Sequence, residues 1–343
     1  MIKVGIIGHG FSAKTFHLPF IWASSDFEFT AISTRNPENI TTHNAKGDKP
    51  LIFNTPEGLI TSKKIDLVVI TAPNDVHFSL AKLCLKNNIH VIVEKPITVT
   101  LAEAEQLAAL AEKKNLVLSV FHNRRWDGDF LTVRKLLNNK VLGKVKVFES
   151  RFDRFRPIVG LKWKENKGNG TGVWHDLGAH LVDQVLVLFG LPHSVTGKCL
   201  ALRESAEAID YFNVQLHYDT FEVVLSSSPF IAGDNKRFNI QGTKAQFVKQ
   251  GVDPQEQQLK DGLNPNLIEF GQENESLYGT LYTESSNKTI ATEVGNYGQY
   301  YTEIAQAITT KAPLPVSAND GVQVMKIIEL ALLSSQREHT LFL

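Results

Sequence analysis

Residues 2–13 read Ile-Lys-Val-Gly-Ile-Ile-Gly-His-Gly-Phe-Ser-Ala, an apolar strand that runs directly into a glycine-rich turn. Gly8 permits a tight turn, Gly10 lets the backbone approach a phosphate without a Cβ in the way, and Ala13 lets the following helix lie close to the strand. The N-terminus of that helix faces the bound anion. A second strand is predicted at residues 27–33, at the spacing of a βαβ unit. The turn therefore predicts a pyrophosphate site for a dinucleotide.

The end of the second predicted strand reads Ser33-Thr34-Arg35-Asn36. NAD sites place an Asp or Glu about 20 residues beyond the glycines, where it accepts from a ribose hydroxyl. No acid stands in this segment, and Arg35 can form paired charge-assisted hydrogen bonds to a 2′-phosphate. The alternative is that Arg35 is a solvated loop charge. The segment favours NADP over NAD as the cofactor, with NAD left open.

The composition is that of an ordinary globular protein. The chain has 343 residues, 43% hydrophobic and 21% charged, which is long enough for two domains and a large core. Lys plus Arg number 36 and Asp plus Glu number 36, so no basic field attracts nucleic acid or an anionic membrane. Two cysteines cannot form a disulfide framework, and neither a signal peptide nor an apolar run of bilayer length is found. We expect a cytoplasmic protein without nucleic-acid or membrane partners.

The sequence pattern changes near residue 121. Before it, short β-branched runs alternate with helical stretches, and their continuous apolar character is typical of parallel strands buried on both faces. After it, several neighbouring runs alternate with period 2, which indicates an antiparallel sheet with one covered face. The predicted fold class is α/β plus α+β, with a Rossmann dinucleotide-binding domain over residues 1–121 and an α+β domain over residues 122–343. The polar stretch 251–298 is predicted to be a long surface excursion with a little helix.

Two loops of the first domain carry candidate site residues. Glu94-Lys95-Pro96 follows a predicted strand at 90–93, and the carboxyl ends of parallel strands border the ligand crevice. Lys95 can reach a substrate there, or it can be a surface charge paired with Glu94. Pro96 restricts Lys95 to an extended conformation, and the isomer of their peptide bond is left open. The loop 71–77 is predicted to pass under the ribose of the cofactor.

A second constellation lies in the other domain, where a glycine-rich entry at 168–172 leads into a helix with Asp176 and His180. The two residues are four apart, which places them on one helical face. A carboxylate can orient an imidazole and favour its protonated form, and such a histidine is a general base near neutral pH. The alternative is a helix cap or a core histidine. No zinc-ligand spacing is found, so no metal site is predicted.

The segment 121–126 leaves the last Rossmann strand and enters the second domain. Asn123, Arg124 and Arg125 can bind cofactor or polyol hydroxyls there, and an interdomain salt bridge is at least as good an interpretation for either arginine. Trp163 can cover a nicotinamide ring or simply pack.

Together these motifs resemble the Gfo/Idh/MocA family of sugar and polyol oxidoreductases, and the resemblance covers essentially the whole chain. It rests on residues 8–13, 71–77, 94–96 and 168–183. It implies a second domain that binds substrate and contains an open antiparallel sheet. It also implies that homodimers or homotetramers assemble through that sheet. It places the catalytic Lys, Asp and His of the family on Lys95, Asp176 and His180. Residues 121–130 and 174–178 most resemble the bacterial branch that includes NADP-dependent scyllo-inositol dehydrogenase.

The resemblance implies an NAD(P)-dependent dehydrogenase, with NADP preferred, that oxidises a secondary alcohol of a cyclic polyol or sugar. His180, oriented by Asp176, would accept the hydroxyl proton while Lys95 stabilises the same oxygen, although the roles of Lys95 and His180 can be exchanged. Two alternatives are an NAD-dependent glycosidase of the same fold and a non-catalytic NADP-sensing regulator. The predicted cofactor contacts are Gly8, Gly10, Phe11, Ser12, Ala13, Thr34, Arg35, Thr71, Pro73, Asn74, His77, Glu94, Lys95 and Asn123. The predicted substrate contacts are Arg124, Arg125 and Trp163.

Overall fold

The computed structural model describes residues 1–40, 49–160, 165–166, 168 and 170–343. The chain divides into two compact units, each made of three stretches. The first unit takes residues 1–123, 255–270 and 296–322, and the second takes 124–254, 271–295 and 323–343. The first crossing therefore lies two residues beyond the predicted boundary at 121, and two later stretches return to the first unit.

The first unit contains a six-stranded sheet with the order β3-β2-β1-β4-β5-β6, in which all neighbouring strands are parallel. Its strands are β1 (Ile2–Ile7), β2 (Phe27–Ser33), β3 (Leu51–Phe53), β4 (Leu67–Ile70), β5 (His90–Val93) and β6 (Leu118–Val120). This is the strand order of the dinucleotide-binding Rossmann fold, so the predicted class of the N-terminal domain is confirmed.

The second unit contains a nine-stranded open sheet with the order β14-β13-β12-β11-β7-β10-β9-β8-β15. The predicted antiparallel sheet is confirmed with one exception, because β7 and β10 are parallel neighbours. Its strands are β7 (Val145–Arg151), β8 (Ser194–Leu200), β9 (Tyr211–His217), β10 (Glu222–Ser227), β11 (Lys236–Gly242), β12 (Gln246–Gln250), β13 (Gly279–Tyr282), β14 (Asn287–Ile290) and β15 (Leu341–Phe342).

Nine α-helices occur within the described ranges. They are α1 (Leu18–Ala23), α2 (Pro56–Thr61), α3 (His77–Lys86), α4 (Leu101–Lys114), α5 (Gly128–Asn138), α6 (Ala179–Phe189), α7 (Gln255–Lys260), α8 (Gly298–Thr310) and α9 (Ala318–Arg337). Helix α4 begins with a capping box, because the Thr100 hydroxyl accepts from the Glu103 N–H and the Glu103 carboxylate accepts from the Thr100 N–H. None of the helices in the ranges above is long and apolar enough to cross a bilayer.

The two sheets bury their residues in the two ways that the sequence patterns predict. All four residues of β4 are fully buried, as expected for a central parallel strand covered on both faces. On β9, the buried residues Phe212, Val214 and Leu216 alternate with more exposed neighbours. The covered face of this second sheet packs on α9. Gly197 of β8 lies so close to that helix that a Cβ would approach the Ala331 carbonyl oxygen to 2.2 Å.

Candidate active site and cofactor site

The glycine turn at the end of β1 has the geometry that its sequence predicts. Gly8 has φ +95°, and a Cβ on it would lie 2.9 Å from the Thr71 hydroxyl oxygen. The Thr71 hydroxyl donates to the Ile7 carbonyl oxygen at 3.0 Å, so the end of β4 supports the turn. Gly10 has open space on its Cβ side, with nothing within 4 Å. The turn is therefore closed on the protein side and open where a pyrophosphate would approach.

The chain that follows the turn is π-helical over Ala13–His17, and α1 begins only at Leu18. The sequence predicted a helix here but not its wider winding, which occurs mostly in single turns at functional sites. Ala13 is fully buried, as its predicted close packing requires. Phe11 is exposed, and the Lys260 ammonium of α7 lies 5.5 Å from its ring centroid. The polar excursion at 251–298 therefore contains the helix expected for it, and this helix lies beside the glycine turn, a position that the sequence did not predict.

The end of β2 presents Thr34 and Arg35 at the predicted ribose position. The Thr34 N–H donates to the Phe53 carbonyl oxygen at 3.1 Å, and the Thr34 hydroxyl accepts from the Asn36 N–H at 3.2 Å. The Arg35 side chain is exposed. These contacts fix the backbone on both sides of Arg35 and leave its guanidinium in solvent.

His77 joins the two loops that carry the other predicted contacts. Its ring is fully buried, with Nδ1 2.9 Å from the Pro96 carbonyl oxygen and Nε2 2.9 Å from the Ala72 carbonyl oxygen. Burial lowers the pKa of His77, so the neutral ring donates its one N–H to one of these carbonyls at a time. Both ring nitrogens face backbone, so His77 holds the loop after β4 against the loop after β5. Pro73 is exposed and Asn74 is half-buried on that first loop.

Glu94 is the acceptor at the centre of a buried network in the first unit. Its Oε1 accepts from the Ser12 hydroxyl and lies 3.0 Å from His17 Nε2, and its Oε2 accepts from the Lys95 N–H at 3.2 Å. Burial opposes ionisation of this carboxyl, but the interactions with His17, Ser12 and Lys95 lower its pKa to about 2. The side chain is 14% exposed. The structure therefore brings the predicted residues Ser12, Glu94 and Lys95 together around one carboxylate.

The same network extends to α8, far along the chain. His17 Nδ1 lies 2.6 Å from the Tyr301 hydroxyl oxygen. Burial, with Tyr300 and Glu94 nearby, raises the pKa of Tyr301 well above its usual range, so the hydroxyl stays neutral. Neither His17 nor Tyr301 was a predicted site residue. Their contact spans 284 positions, and no local pattern signals it.

Lys95 itself is half-buried on the loop after β5, and the Lys95–Pro96 peptide bond is cis. The sequence did not determine the isomer of this peptide bond, and the structure has the cis form.

In the second unit, Asp176 and His180 flank the change from a π-helical segment, Trp174–Gly178, to α6. The segment was predicted as ordinary helix. Trp174 anchors it, because its indole N–H donates to the Ile328 carbonyl oxygen of α9 at 3.0 Å and its ring occupies the space where a Cβ on Gly178 would lie. Asp176 is half-buried and His180 is 6% exposed. A π-helical turn therefore occurs at both predicted motifs, the glycine turn after β1 and the segment with Asp176 and His180.

The two arginines of the segment 121–126 form ion pairs within the second unit. Arg125 holds Asp183 of α6 through two N–H groups, with Nε 2.9 Å from Oδ2 and Nη2 2.6 Å from Oδ1. Arg124 lies 3.4 Å from Asp127, and its guanidinium stacks over Phe152. Both of these ion pairs lie inside one unit.

Asn123 and Trp163 are the remaining predicted site residues. Asn123 is 5% exposed at the end of the first stretch of the first unit. Trp163 lies outside the described residues. Within the described part of the chain, no group of three or more His, Cys, Asp or Glu side chains is placed to hold a metal ion.

Comparison with known proteins gives full-length matches. The family model described as "Oxidoreductase family, NAD-binding Rossmann fold" matches residues 2–122, and "Oxidoreductase family, C-terminal alpha/beta domain" matches residues 134–343. The chain is 42% identical to the uncharacterized oxidoreductase YdgJ of Escherichia coli, covering 100% of this chain and 99% of that protein. It is 36% identical to the scyllo-inositol 2-dehydrogenase (NADP(+)) IolW of Bacillus subtilis, covering 100% and 96%. The solved structure of yvaA from Bacillus subtilis has a TM-score of 0.95 at 36% identity, covering 100% and 98%.

Proposed function

Because this chain belongs to the Gfo/Idh/MocA oxidoreductase family, we propose that it is an NADP-linked dehydrogenase that oxidises a secondary alcohol of a cyclic polyol or sugar. Membership makes the chain an oxidoreductase with an NAD(P)-binding Rossmann domain and confirms the resemblance drawn from its motifs. The observation that carries the finer proposal is the Glu94 carboxylate, which ties Ser12 of the glycine turn to the backbone of Lys95.

The residues present fit a dinucleotide. Gly8 forms a tight turn in which a Cβ would not fit, and the open side of Gly10 leaves room for phosphate oxygens. Ser33–Asn36 carries no acid, and Arg35 is exposed at the position where a 2′-phosphate would be recognised. The relative IolW is named for NADP, which supports this preference. A bound NADP would supply the acceptor for the hydride that leaves the carbinol carbon.

The residues of this chain handle the proton and the charge on the substrate oxygen. We propose that His180, oriented by Asp176, accepts the hydroxyl proton, while the Lys95 ammonium donates a hydrogen bond to the same oxygen. The reverse assignment has Lys95 as the base and His180 as the hydrogen-bond donor. The relative named as an inositol dehydrogenase supports a cyclic polyol as the substrate class.

The decisive experiment is a panel of cyclic polyols and sugars, assayed in the oxidation direction with NADP and NAD in parallel. We expect turnover of at least one cyclic polyol, with kcat/KM higher for NADP. Release of sugar from an aryl glycoside without net change in cofactor absorbance would instead favour the glycosidase. Tight NADPH binding without turnover of any member would favour the regulator.

Two substitutions test the proposed chemistry. Lys95→Met and His180→Asn should each lose about two to four orders of magnitude in turnover while NADPH binding is retained, because each removes a group that acts on the transferring proton or the developing charge. Turnover close to that of the wild type in both variants would contradict the assignment.

Arg35→Ser tests the cofactor preference. Loss of a charge-assisted contact of roughly 1.5–3 kcal/mol should lower kcat/KM for NADP by about 10- to 100-fold and leave kcat/KM for NAD nearly unchanged. An unchanged NADP-to-NAD ratio would assign the ribose phosphate to other residues.

A cytoplasmic location and assembly as a homodimer or homotetramer through the second sheet remain predictions. Sedimentation of the purified chain tests the assembly.

A further inference from the structure

We propose that Tyr301 and His17 are positioning residues for Lys95, acting through Glu94. The Tyr301 hydroxyl orients the His17 ring, the ring and Ser12 together orient the Glu94 carboxylate, and that carboxylate holds the backbone of Lys95. The inference rests on the proposed function of Lys95, and it adds two residues that lie outside the motifs of the family resemblance.

The four side chains come from three separate parts of the first unit. Ser12 and His17 belong to the glycine turn and the π-helical segment, Glu94 to the loop after β5, and Tyr301 to α8. His17 is fully buried, and Tyr301 is 1% exposed. Water therefore does not compete for the contact between His17 Nδ1 and the Tyr301 hydroxyl, and this hydrogen bond acts in a low-dielectric surrounding.

The direction of the hydrogen bonds follows from the chemistry of the partners. An ionised carboxylate only accepts, so His17 Nε2 must carry the hydrogen that points at Glu94 Oε1. In the tautomer with its hydrogen on Nε2, Nδ1 has a lone pair to which the Tyr301 hydroxyl can donate. Tyr301 thereby selects the tautomer in which His17 donates to Glu94. In the other tautomer the Nε2 lone pair would face the carboxylate.

The ring is also fixed by packing. Its centroid lies 4.2 Å from that of Phe121 at the end of β6, and the Tyr301 ring stacks on Phe20 with an interplanar angle of 12°. These contacts prevent the imidazole from turning to another partner, as a preorganised site requires.

The Glu94 carboxylate connects the fixed His17 ring to Lys95 of the proposed active site. Oε1 accepts from Ser12 of the glycine turn, and Oε2 accepts from the Lys95 N–H. One carboxylate therefore contacts both the backbone of Lys95 and the turn that would hold the cofactor. A shift of this carboxylate moves Lys95 relative to the cofactor, and a misplacement of about 1 Å can cost on the order of 100-fold in rate.

The adjacent tyrosine provides a matched control. Tyr300 lies on the same helix and is fully buried, and its hydroxyl donates to the Ser119 hydroxyl oxygen at 2.8 Å. Tyr300→Phe and Tyr301→Phe each delete one buried hydroxyl from α8. A purely structural role predicts similar consequences for both, whereas a positioning role predicts a rate effect for Tyr301 alone.

The experiment compares the full chain as wild type, Tyr300→Phe and Tyr301→Phe. For each we would measure thermal unfolding, NADPH binding by fluorescence, and kcat and KM with an active polyol from the panel. We expect Tyr301→Phe to lower kcat by about 10- to 100-fold, with KM and NADPH affinity within about threefold of the wild type. Tyr300→Phe should keep kcat within about twofold while showing a similar loss of thermal stability.

A spectroscopic measurement on the same proteins reads the tautomer directly. Nitrogen-15 NMR of the histidine rings, with the His17 signals identified by their absence in His17→Gln, should show hydrogen on Nε2 and a lone pair on Nδ1 in the wild type. Tyr301→Phe should shift the Nδ1 signal, and Tyr300→Phe should leave it unchanged. Hydrogen on wild-type Nδ1 would overturn the proposal.

The kinetic outcomes separate two failures. An active wild type with equal kcat in Tyr300→Phe and Tyr301→Phe overturns the positioning role and leaves the proposed dehydrogenase intact. A wild type that turns over no polyol overturns the proposed function, and the positioning of Lys95 for catalysis with it.

Discussion

The two glycines of the first turn are required for different reasons. Gly8 has φ +95°, and a Cβ there would also lie 3.1 Å from the Thr71 carbonyl oxygen, so both conformation and space exclude a side chain. Gly10 has open space around it, and only a bound pyrophosphate gives a reason to exclude a Cβ. The fold itself therefore requires a glycine at position 8, whereas the proposed role of Gly10 concerns only the ligand.

This difference gives a prediction. Gly8→Ala should lower both the melting temperature and NADPH affinity, with a cost to stability on the order of 1–3 kcal/mol from the strained backbone. Gly10→Ala should keep the melting temperature within about 2 °C and still weaken NADPH binding. Differential scanning fluorimetry with and without NADPH measures both. Equal melting temperatures for the two variants without cofactor would contradict it.

The Glu94 carboxyl makes stability depend on acid pH. Its pKa is lowered from 4.5 to about 2, so its stabilising contribution is present above about pH 4.5 and is lost as the pH falls towards 2. The full contribution is about 3 kcal/mol. The free energy of unfolding from urea titrations should therefore decrease more steeply between pH 5 and pH 3 for the wild type than for Glu94→Gln. Parallel profiles would show that Glu94 is not the responsible group.

At the scale of single residues, the sequence could predict contacts that lie within motifs. Gly8, Ala13 and Glu94 lie where their motifs indicate, because each motif has a fixed place on a Rossmann strand. His17 and Tyr301 could not be found this way, since their contact depends on how α8 packs on the first sheet. Arg125 was equally ambiguous, because an arginine beside a cofactor and one paired with Asp183 look alike in sequence.

At the scale of elements, strong patterns were predictable and short or irregular ones were not. The strands β1, β2 and β9 follow from apolar runs or period-2 alternation. The edge strand β3 has three residues, all at least partly exposed, so it has no burial pattern. The π-helical turns at 13–17 and 174–178 also lack a local signal, because they differ from an α-helix by one hydrogen-bond register.

The buried ion pair between β12 and the stretch before β13 gives a prediction at this scale. Lys249 and Glu273 are 0% and 1% exposed, with Nζ 2.9 Å from Oε1, and the Thr292 hydroxyl donates to the other carboxylate oxygen. Lys249→Met leaves that carboxylate buried without its cation and should cost about 3–5 kcal/mol of unfolding free energy.

Two further variants complete the test in urea unfolding. Adding Glu273→Leu to Lys249→Met should recover much of the loss, because the uncompensated charge is removed. Lys135→Met breaks the exposed pair with Glu293 and should cost at most about 1 kcal/mol. Equal costs for the two lysine substitutions would contradict a special role for the buried pair.

At the scale of the whole molecule, the first unit continues beyond its last strand into two later stretches of the chain. The Tyr301 ring of α8 contacts Phe27 with ring centroids 5.6 Å apart. The Tyr300 ring of α8 contacts Phe121 with ring centroids 4.9 Å apart. The motifs predicted the Rossmann strands, whereas the later stretches carry no dinucleotide signature that would assign them to this unit.

We therefore expect a fragment of residues 1–121 to lack a cooperative thermal transition and to bind NADPH weakly. Joining residues 255–270 and 296–322 to residues 1–123 through flexible linkers should restore both, because the aromatic partners return. Circular dichroism melting and fluorescence titration test this. A cooperative melt of the short fragment would show that α8 is dispensable for the fold.

The return of α8 to the first unit also sets an order of events during synthesis. Phe121 leaves the ribosome 180 residues before Tyr301, which at 5–20 residues per second is a delay of about 10 to 40 s. During that interval the aromatic surface that α8 will cover is accessible to other chains and to chaperones. We expect the nascent chain to pause as a partly assembled intermediate, and substitutions that enlarge this surface to lower the yield of protein before they change its final stability.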